Sequence, residues 1–168
     1  MMFNAMNEER IALFPGSFDP ITIAHVDILS RALPLFSKVY VGVGLNSNKK
    51  ALLSRELREE MIRATFQDEK KVEVVSYEGL TVAFCSRINV SYILRGIRST
   101  SDFEYEKAIS QMNHAMHPEI ESVFILSNPG YSAISSSIVR DILRYGGDAE
   151  QFIPKPALEI LTAAGGAL

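Results

Sequence analysis

With 168 residues, 47% of them hydrophobic, and a formal net charge of −3, the chain is long enough for one substantial core and is expected to form a single domain. A protein that binds nucleic acid without sequence preference needs a strong basic excess; this chain has none, so its expected partners are small molecules. Its one cysteine, Cys85, sits in the apolar run Val82-Ala83-Phe84-Cys85, which excludes a disulfide framework and fits a core thiol in a reducing cytoplasm, and no stretch approaches the roughly 18 apolar residues that a membrane-spanning helix takes.

Residues 1–9, M-M-F-N-A-M-N-E-E, lack the basic region and long apolar block of a signal sequence and read as a short loose tail ahead of a domain over 10–168. Ile11 to Phe14 is apolar throughout and predicts a short buried strand. Val26, Leu29, Leu33 and Phe36 then fall at helical spacing, predicting a helix from about Ala24 to Phe36. The intervening string, F-P-G-S-F-D-P-I-T-I-A-H from Phe14 to His25, is thus a strand-to-helix crossover in which Pro15 and Gly16 are expected to form the turn. His25 falls on the first helical turn. Free backbone N–H groups and the positive end of the helix dipole suit a phosphate chain, so a nucleotide site is the first hypothesis. Taken alone, Thr22-x-x-His25 is a weak pattern, and His25 reads equally as an ordinary capping or surface histidine.

A second strand is expected over Lys38 to Leu45, ending in Asn46-Ser47-Asn48-Lys49-Lys50. Lys49 there is either a compact positive charge for an anionic substrate or one of a solvated surface pair. Ser54 to Phe66 predicts a helix whose charged run Ser54-Arg55-Glu56-Leu57-Arg58-Glu59-Glu60 reads as a solvated face. Next come a strand at Val72 to Ser76, a helix at Thr81 to Ile88 and a strand at Tyr92 to Gly96. That strand runs into Leu94-Arg95-Gly96-Ile97-Arg98, so the Arg95 guanidinium should emerge at its carboxyl end. Gly96 allows close backbone approach and Arg98 supplies a second fork, an arrangement for phosphate unless the arginines pair with Asp102 or Glu104.

Asp102 to His117 predicts a helix on which His114 and His117, three apart, lack an evident third metal ligand and read as structural. A fifth strand follows at Val123 to Ser127. Tyr131 to Arg140 begins as a loop and becomes a helix over Ser135 to Tyr145, ended by Gly146-Gly147. The serines Ser135, Ser136 and Ser137 offer hydroxyls and free N–H groups to a second phosphate cluster, and Arg140 either joins them or pairs on the surface. A last helix is expected over Pro156 to Ala164. Short strands alternating with amphipathic helices imply a Rossmann-like, doubly wound α/β domain: a five-stranded parallel sheet with helices on both faces. Ligands of such sheets bind beyond the carboxyl ends of the strands, so the loops at 15–24, 46–53, 95–101 and 127–135 should converge.

The string P-G-S-F-D-P with Thr22 and His25 resembles the signature of the nucleotidyltransferase superfamily, G-[ST]-F-D-P followed by T-x-G-H. Joined to R-G-I-R at 95–98, D-F-E-Y-E at 102–106, E-S-V-F at 121–124 and I-S-S-S-I-V-R at 134–140, it is similar to the bacterial phosphopantetheine adenylyltransferase family over nearly the whole chain. That resemblance implies transfer of the AMP moiety of ATP to 4′-phosphopantetheine, giving dephospho-coenzyme A and pyrophosphate, with Mg²⁺ carried mainly by the ATP phosphates. A homohexamer and feedback inhibition by coenzyme A are implied in the same way. Sibling transferases acting on nicotinate mononucleotide or glycerol 3-phosphate, and a non-catalytic nucleotide-binding protein, are the competing readings.

Carried over by motif, the resemblance puts Ser17 in contact with both substrates, Phe18 beside it at the ATP site, and His25 at the transition state with Lys49 and Arg98 in the catalytic set. Lys49 and Arg95 would hold the phosphopantetheine phosphate, and Thr81 would touch that substrate. Gly96, Ile97, Arg98 and Glu106 match ATP-site positions, as do Tyr131, Ser132, Ala133, Ile134, Ser135, Ser136 and Ser137. The chain departs from the family in one place: Ile23-Ala24 replaces Asn-Gly before the histidine.

Overall fold

The computed structural model describes residues 9–45 and 51–165. Five parallel strands, β1 (Ile11–Gly16), β2 (Lys38–Leu45), β3 (Val72–Glu78), β4 (Tyr92–Ile97) and β5 (Glu121–Leu126), form one sheet in the order β3-β2-β1-β4-β5. Six helices connect and flank them: α1 (Ile23–Ala32), α2 (Arg55–Thr65), α3 (Thr81–Arg87), α4 (Thr100–Met116), α5 (Ser136–Arg144) and α6 (Lys155–Ala163).

Side chains alternate across a strand, and β1, the central one, uses the alternation to feed two cores. Ala12 and Phe14 face a layer built with Ile28 and Leu29 of α1, Met61 and Ile62 of α2, and Ala157 and Leu161 of α6. Leu13 faces the opposite layer, with Tyr77, Val82, Phe84, Cys85 and Ile93. Burial raises the Cys85 thiol to about 12, so this cysteine is an inert core residue. Both layers together make the doubly wound architecture that the alternation of elements predicts.

The crossover after β1 differs from its expected form. Pro15 and Gly16 continue the strand, opposite Gly42 and Val43 of β2, and the turn falls at Asp19-Pro20. Proline is tolerated there because β4 pairs with β1 at Ala12 and Leu13, so the N–H that Pro15 lacks is not demanded by a second neighbour. α1 is likewise shorter than its periodicity implies: Pro34 tightens the chain into a 3₁₀ turn over Leu33–Leu35. Ser54, Ser99 and Ser135 cap α2, α4 and α5 by accepting from the N–H of Leu57, Asp102 and Ile138. Gly146, at φ 68°, closes α5 in the left-handed conformation that residues with a Cβ avoid.

Asp19 is almost fully buried, 2% exposed. Its carboxylate accepts the backbone N–H of Leu52 and of Leu53, both at 2.9 Å, and a 3.2 Å contact from Nη1 of Arg140 on α5. Ser136 adds a hydroxyl bond to the carbonyl of Pro20 at 2.8 Å. One carboxylate therefore fastens the loop after β1 to the segment entering α2 and to α5. Removing one partner of a buried, hydrogen-bonded charge pair costs roughly 3–5 kcal/mol. Asp19→Ala is accordingly expected to lower the unfolding free energy by about 3 kcal/mol in a urea titration; a loss below about 1 kcal/mol, the scale of a surface pair, would contradict this role.

Candidate active site

β1 leads to β2 and β3 on one side, while β4 and β5 lie on the other. The gap between the carboxyl ends of β1 and β4 is therefore the topological switch point, where open α/β sheets bind ligands. A crevice of about 420 Å³ opens there, within the usual size range of small-molecule sites. β1 and its loop contribute Pro15, Gly16 and Ser17; α1 contributes Ala24, His25 and Ile28; β4 and the turn after it contribute Arg95, Gly96 and Arg98. Asp102, Tyr105 and Glu106 of α4 close one side, and Ile134 to Ser137 at the start of α5 close another.

His25 occupies the third position of α1, and Thr22 is the N-cap. The backbone N–H of Thr22 donates to His25 Nδ1 at 3.0 Å, and the Thr22 hydroxyl lies 2.9 Å from the same nitrogen. An amide nitrogen can only donate, so Nδ1 is the unprotonated nitrogen and the neutral ring carries its proton on Nε2. Burial, the Arg98 guanidinium and the Arg95 guanidinium, in that order of weight, lower the imidazole pKa from 6.5 to about 4. The ring edge nevertheless reaches the crevice, since His25 is among its lining residues. Phe18 packs behind the ring, centroids 5.0 Å apart. The site thus presents a neutral Nε2–H donor at a helix N-terminus, an arrangement suited to an oxyanion.

Both arginines of R-G-I-R are held by carboxylates of α4. Arg95 donates from Nε to Glu106 at 2.8 Å, also pairs with it through Nη2, and donates from Nη1 to the Pro15 carbonyl at 3.0 Å. Arg98 donates from Nε to Asp102 at 2.9 Å. Expected partners for these arginines were a ligand phosphate or else Asp102 or Glu104; Asp102 is found, and Glu106 takes the place of Glu104. A guanidinium has five N–H donors, so Arg95 retains two for a ligand without giving up the three it uses. Gly96 has a different reason for its lack of a side chain from the one its position in the motif suggests: a Cβ there would stand 3.0 Å from Cγ1 of Ile28, so it admits α1 against the sheet.

Of the residues singled out from the sequence, Ser17, His25, Arg95, Gly96, Arg98, Glu106 and Ile134 to Ser137 meet around the crevice. Thr81 lines an adjoining cavity of about 110 Å³ that shares Pro15, Arg95 and Glu106 with the main one, and its hydroxyl lies 2.8 Å from that of Tyr77. Phe18 and Ile97 are core residues, 1% and 4% exposed, so only their backbone can face a ligand. Tyr131, Ser132 and Ala133 precede the lining segment, in and just after a 3₁₀ turn over Pro129–Tyr131. Lys49 lies outside the described residues. At the substituted position, Ala24 forms part of the crevice wall and is 8% exposed.

Three structural contributors were not evident from the motifs. Asp19 stands in the sequence only as one residue of the crossover string. Arg140 pairs with buried Asp19 through Nη1 and donates from Nη2 to the Ser137 hydroxyl at 3.3 Å. Arg58, placed on a solvated face, is 6% exposed and donates from Nη1 to the Ser17 carbonyl at 2.8 Å. Its signal was present: Arg58 lies three and four residues before Met61 and Ile62, on the buried stripe of α2.

The cytidylyltransferase-like family model matches residues 13–142. The phosphopantetheine adenylyltransferase of Flavobacterium psychrophilum is 47% identical over 146 residues, covering 87% of this chain and 96% of the relative. That of Flavobacterium johnsoniae is 49% identical over 145 residues, with 86% and 95% covered. The Leptospira biflexa protein of the same name is 44% identical over 153 residues, with 91% and 96% covered. With this likeness running through the crossover, the arginine turn and the serine helix that build the crevice, the chain belongs to the cytidylyltransferase-like family and, within it, to the phosphopantetheine adenylyltransferases.

Proposed function

We propose that the crevice transfers the adenylyl group of ATP to 4′-phosphopantetheine, releasing pyrophosphate and forming dephospho-coenzyme A. The observation that carries this reading is the convergence, at the switch point, of a neutral histidine donor, two helix N-termini and two arginines. Each suits a phosphate oxygen, and none is a nucleophile poised beside a base. The acceptor phosphate is itself anionic at neutral pH, so direct in-line attack on the α-phosphorus needs no covalent intermediate.

In this mechanism Arg95, with Lys49 as the family motif implies, holds the acceptor phosphate in line. The α5 serines and the turn at Gly96 to Arg98 receive the nucleotide. The Nε2–H of His25 and the start of α1 stabilise charge on the α-phosphoryl oxygens as the bond to pyrophosphate breaks. Mg²⁺ fits as the counter-ion of the ATP phosphates, whose charge it would offset, because the crevice carboxylates Asp102 and Glu106 are engaged by Arg98 and Arg95. Dephospho-coenzyme A and coenzyme A share both halves of the substrates, which supports feedback by competition for the same crevice. The exposed apolar residues of α4, Phe103, Ile109, Met112 and Met116, offer surface that a homohexamer would cover. A cytoplasmic location is in keeping with the inert thiol of Cys85, and no described helix is long and apolar enough to cross a membrane.

Pyrophosphate release with ATP and Mg²⁺ tests the assignment directly. Turnover is expected with 4′-phosphopantetheine and not with nicotinate mononucleotide or glycerol 3-phosphate; the reverse would reassign the acceptor. His25→Ala removes one oxyanion donor and should lower kcat by about 10²–10³-fold while calorimetry still detects ATP binding. Comparable turnover in the variant would remove His25 from the transition state.

The His25 pKa also makes a prediction about stability. Between pH 6.5 and about 4 the unfolded chain protonates this histidine and the folded chain does not, so stability falls as pH falls through that window. Above pH 6.5 the folded state incurs no such penalty. Nitrogen-15 shifts should accordingly report a neutral Nε2–H ring down to pH 5, with titration near 4; an inflection near 6.5 would refute the buried neutral donor.

A further inference from the structure

Arg58 is the one arginine or lysine among the described residues that is buried, and no carboxylate of those residues lies within ion-pairing distance of it. Its partners are carbonyls: Nη1 donates to Ser17 at 2.8 Å and Nε to Ser54 at 3.3 Å. A buried cation satisfied by neutral carbonyls is costly to maintain unless an anion is to be received nearby. Ser17 lies on the wall of the crevice.

The carbonyl that Arg58 holds belongs to the peptide joining Ser17 to Phe18. Phe18 has φ 46°, in the left-handed region where a residue with a Cβ persists only if its surroundings enforce it. Two features enforce it here, the burial of the Phe18 ring and the grip of Arg58 on the preceding carbonyl. The peptide is trans, since Asp19-Pro20 is the only cis bond among the described residues, so its N–H points opposite to its C=O. With the carbonyl turned towards α2, the Phe18 N–H points away from α2, and it has no acceptor among the described residues.

We propose that Arg58 is a positioning residue of the nucleotide site: by holding the Ser17 carbonyl it sets the Ser17–Phe18 peptide so that the Phe18 N–H, beside the Ser17 hydroxyl, donates to a phosphate oxygen of the ligand. This explains how a core residue such as Phe18 can serve a nucleotide site, through its amide and not its ring. The inference rests on the crevice receiving a nucleoside triphosphate, but not on the identity of the acceptor.

The test reads nucleotide binding apart from turnover. In the wild-type chain, the Phe18 amide proton is expected to move downfield when a non-hydrolysable ATP analogue and Mg²⁺ are added; an unmoved Phe18 amide alongside shifts at His25 would overturn the proposal. Arg58→Lys keeps the charge but loses the fork that spans two carbonyls. It should weaken ATP-analogue binding by about 10–100-fold, the scale of one charge-assisted hydrogen bond, with KM for phosphopantetheine little changed. Arg58→Ala should regain part of its ATP-analogue affinity on addition of millimolar guanidinium, which a merely structural loss would not. Unchanged ATP-analogue affinity in folded Arg58→Lys would also overturn the proposal. Failure of phosphopantetheine as acceptor would overturn the proposed reaction and leave these binding results intact.

Discussion

The contact on which the site depends is the buried carboxylate of Asp19. It lies in no strand or helix, yet it joins three segments far apart in sequence: the loop after β1, the entry to α2 and helix α5. A strand-to-helix crossover built from Phe, Asp and Pro would otherwise have little reason to adopt one conformation, because its backbone groups belong to no ladder. With Asp19 in place, its neighbours inherit fixed positions. Ser17 is held by Arg58 on one side, Pro20 by Ser136 on the other, and Thr22 begins α1 where its N–H meets His25.

Electrostatic economy is the second organising constraint. Each crevice arginine is matched by one acid on α4, Arg95 with Glu106 and Arg98 with Asp102, and the two acids lie one helical turn apart. Without ligand, the formal charges of these four groups cancel. The arginines are thereby oriented before any phosphate arrives, which limits the ordering that binding requires. Their proximity, added to burial, holds His25 neutral. A cationic histidine would lose its Nδ1 bond to the Thr22 N–H, so the N-cap, the tautomer and the arginine pair all favour the same protonation state.

How far the chain could be read in advance follows the kind of signal each feature leaves. The five strands and six helices were legible because burial imposes a period on the sequence. Boundaries shifted where a single residue overrode the period, as Pro34 did at the end of α1, or where, as at Pro15, the loss of a neighbour made an awkward residue harmless. His25 and R-G-I-R were legible as a linear motif of polar residues after apolar strands. The partners that orient them were not. Glu106 in place of Glu104, and Asp19 with Arg140, are choices made by helix phase and by contacts between residues up to 121 positions apart, which no local window contains.

Arg58 shows the same limit from the other direction. Six charged or polar residues in seven look like a solvated face, and the average is correct: Ser54, Arg55, Glu56 and Glu60 are exposed. The exception is the residue in phase with Met61 and Ile62, where helix geometry turns a charge inward. An inward arginine requires acceptors, and the nearest available carbonyl is that of Ser17, fixed within reach by Asp19 two residues later. The left-handed Phe18 is the consequence. Its ring completes the packing behind His25, and its backbone bends so that Asp19 can turn inward to the N–H groups of Leu52 and Leu53. The single conformation of the crossover thus has a physical basis in which ring, carboxylate and guanidinium each fix a different atom of the same short loop.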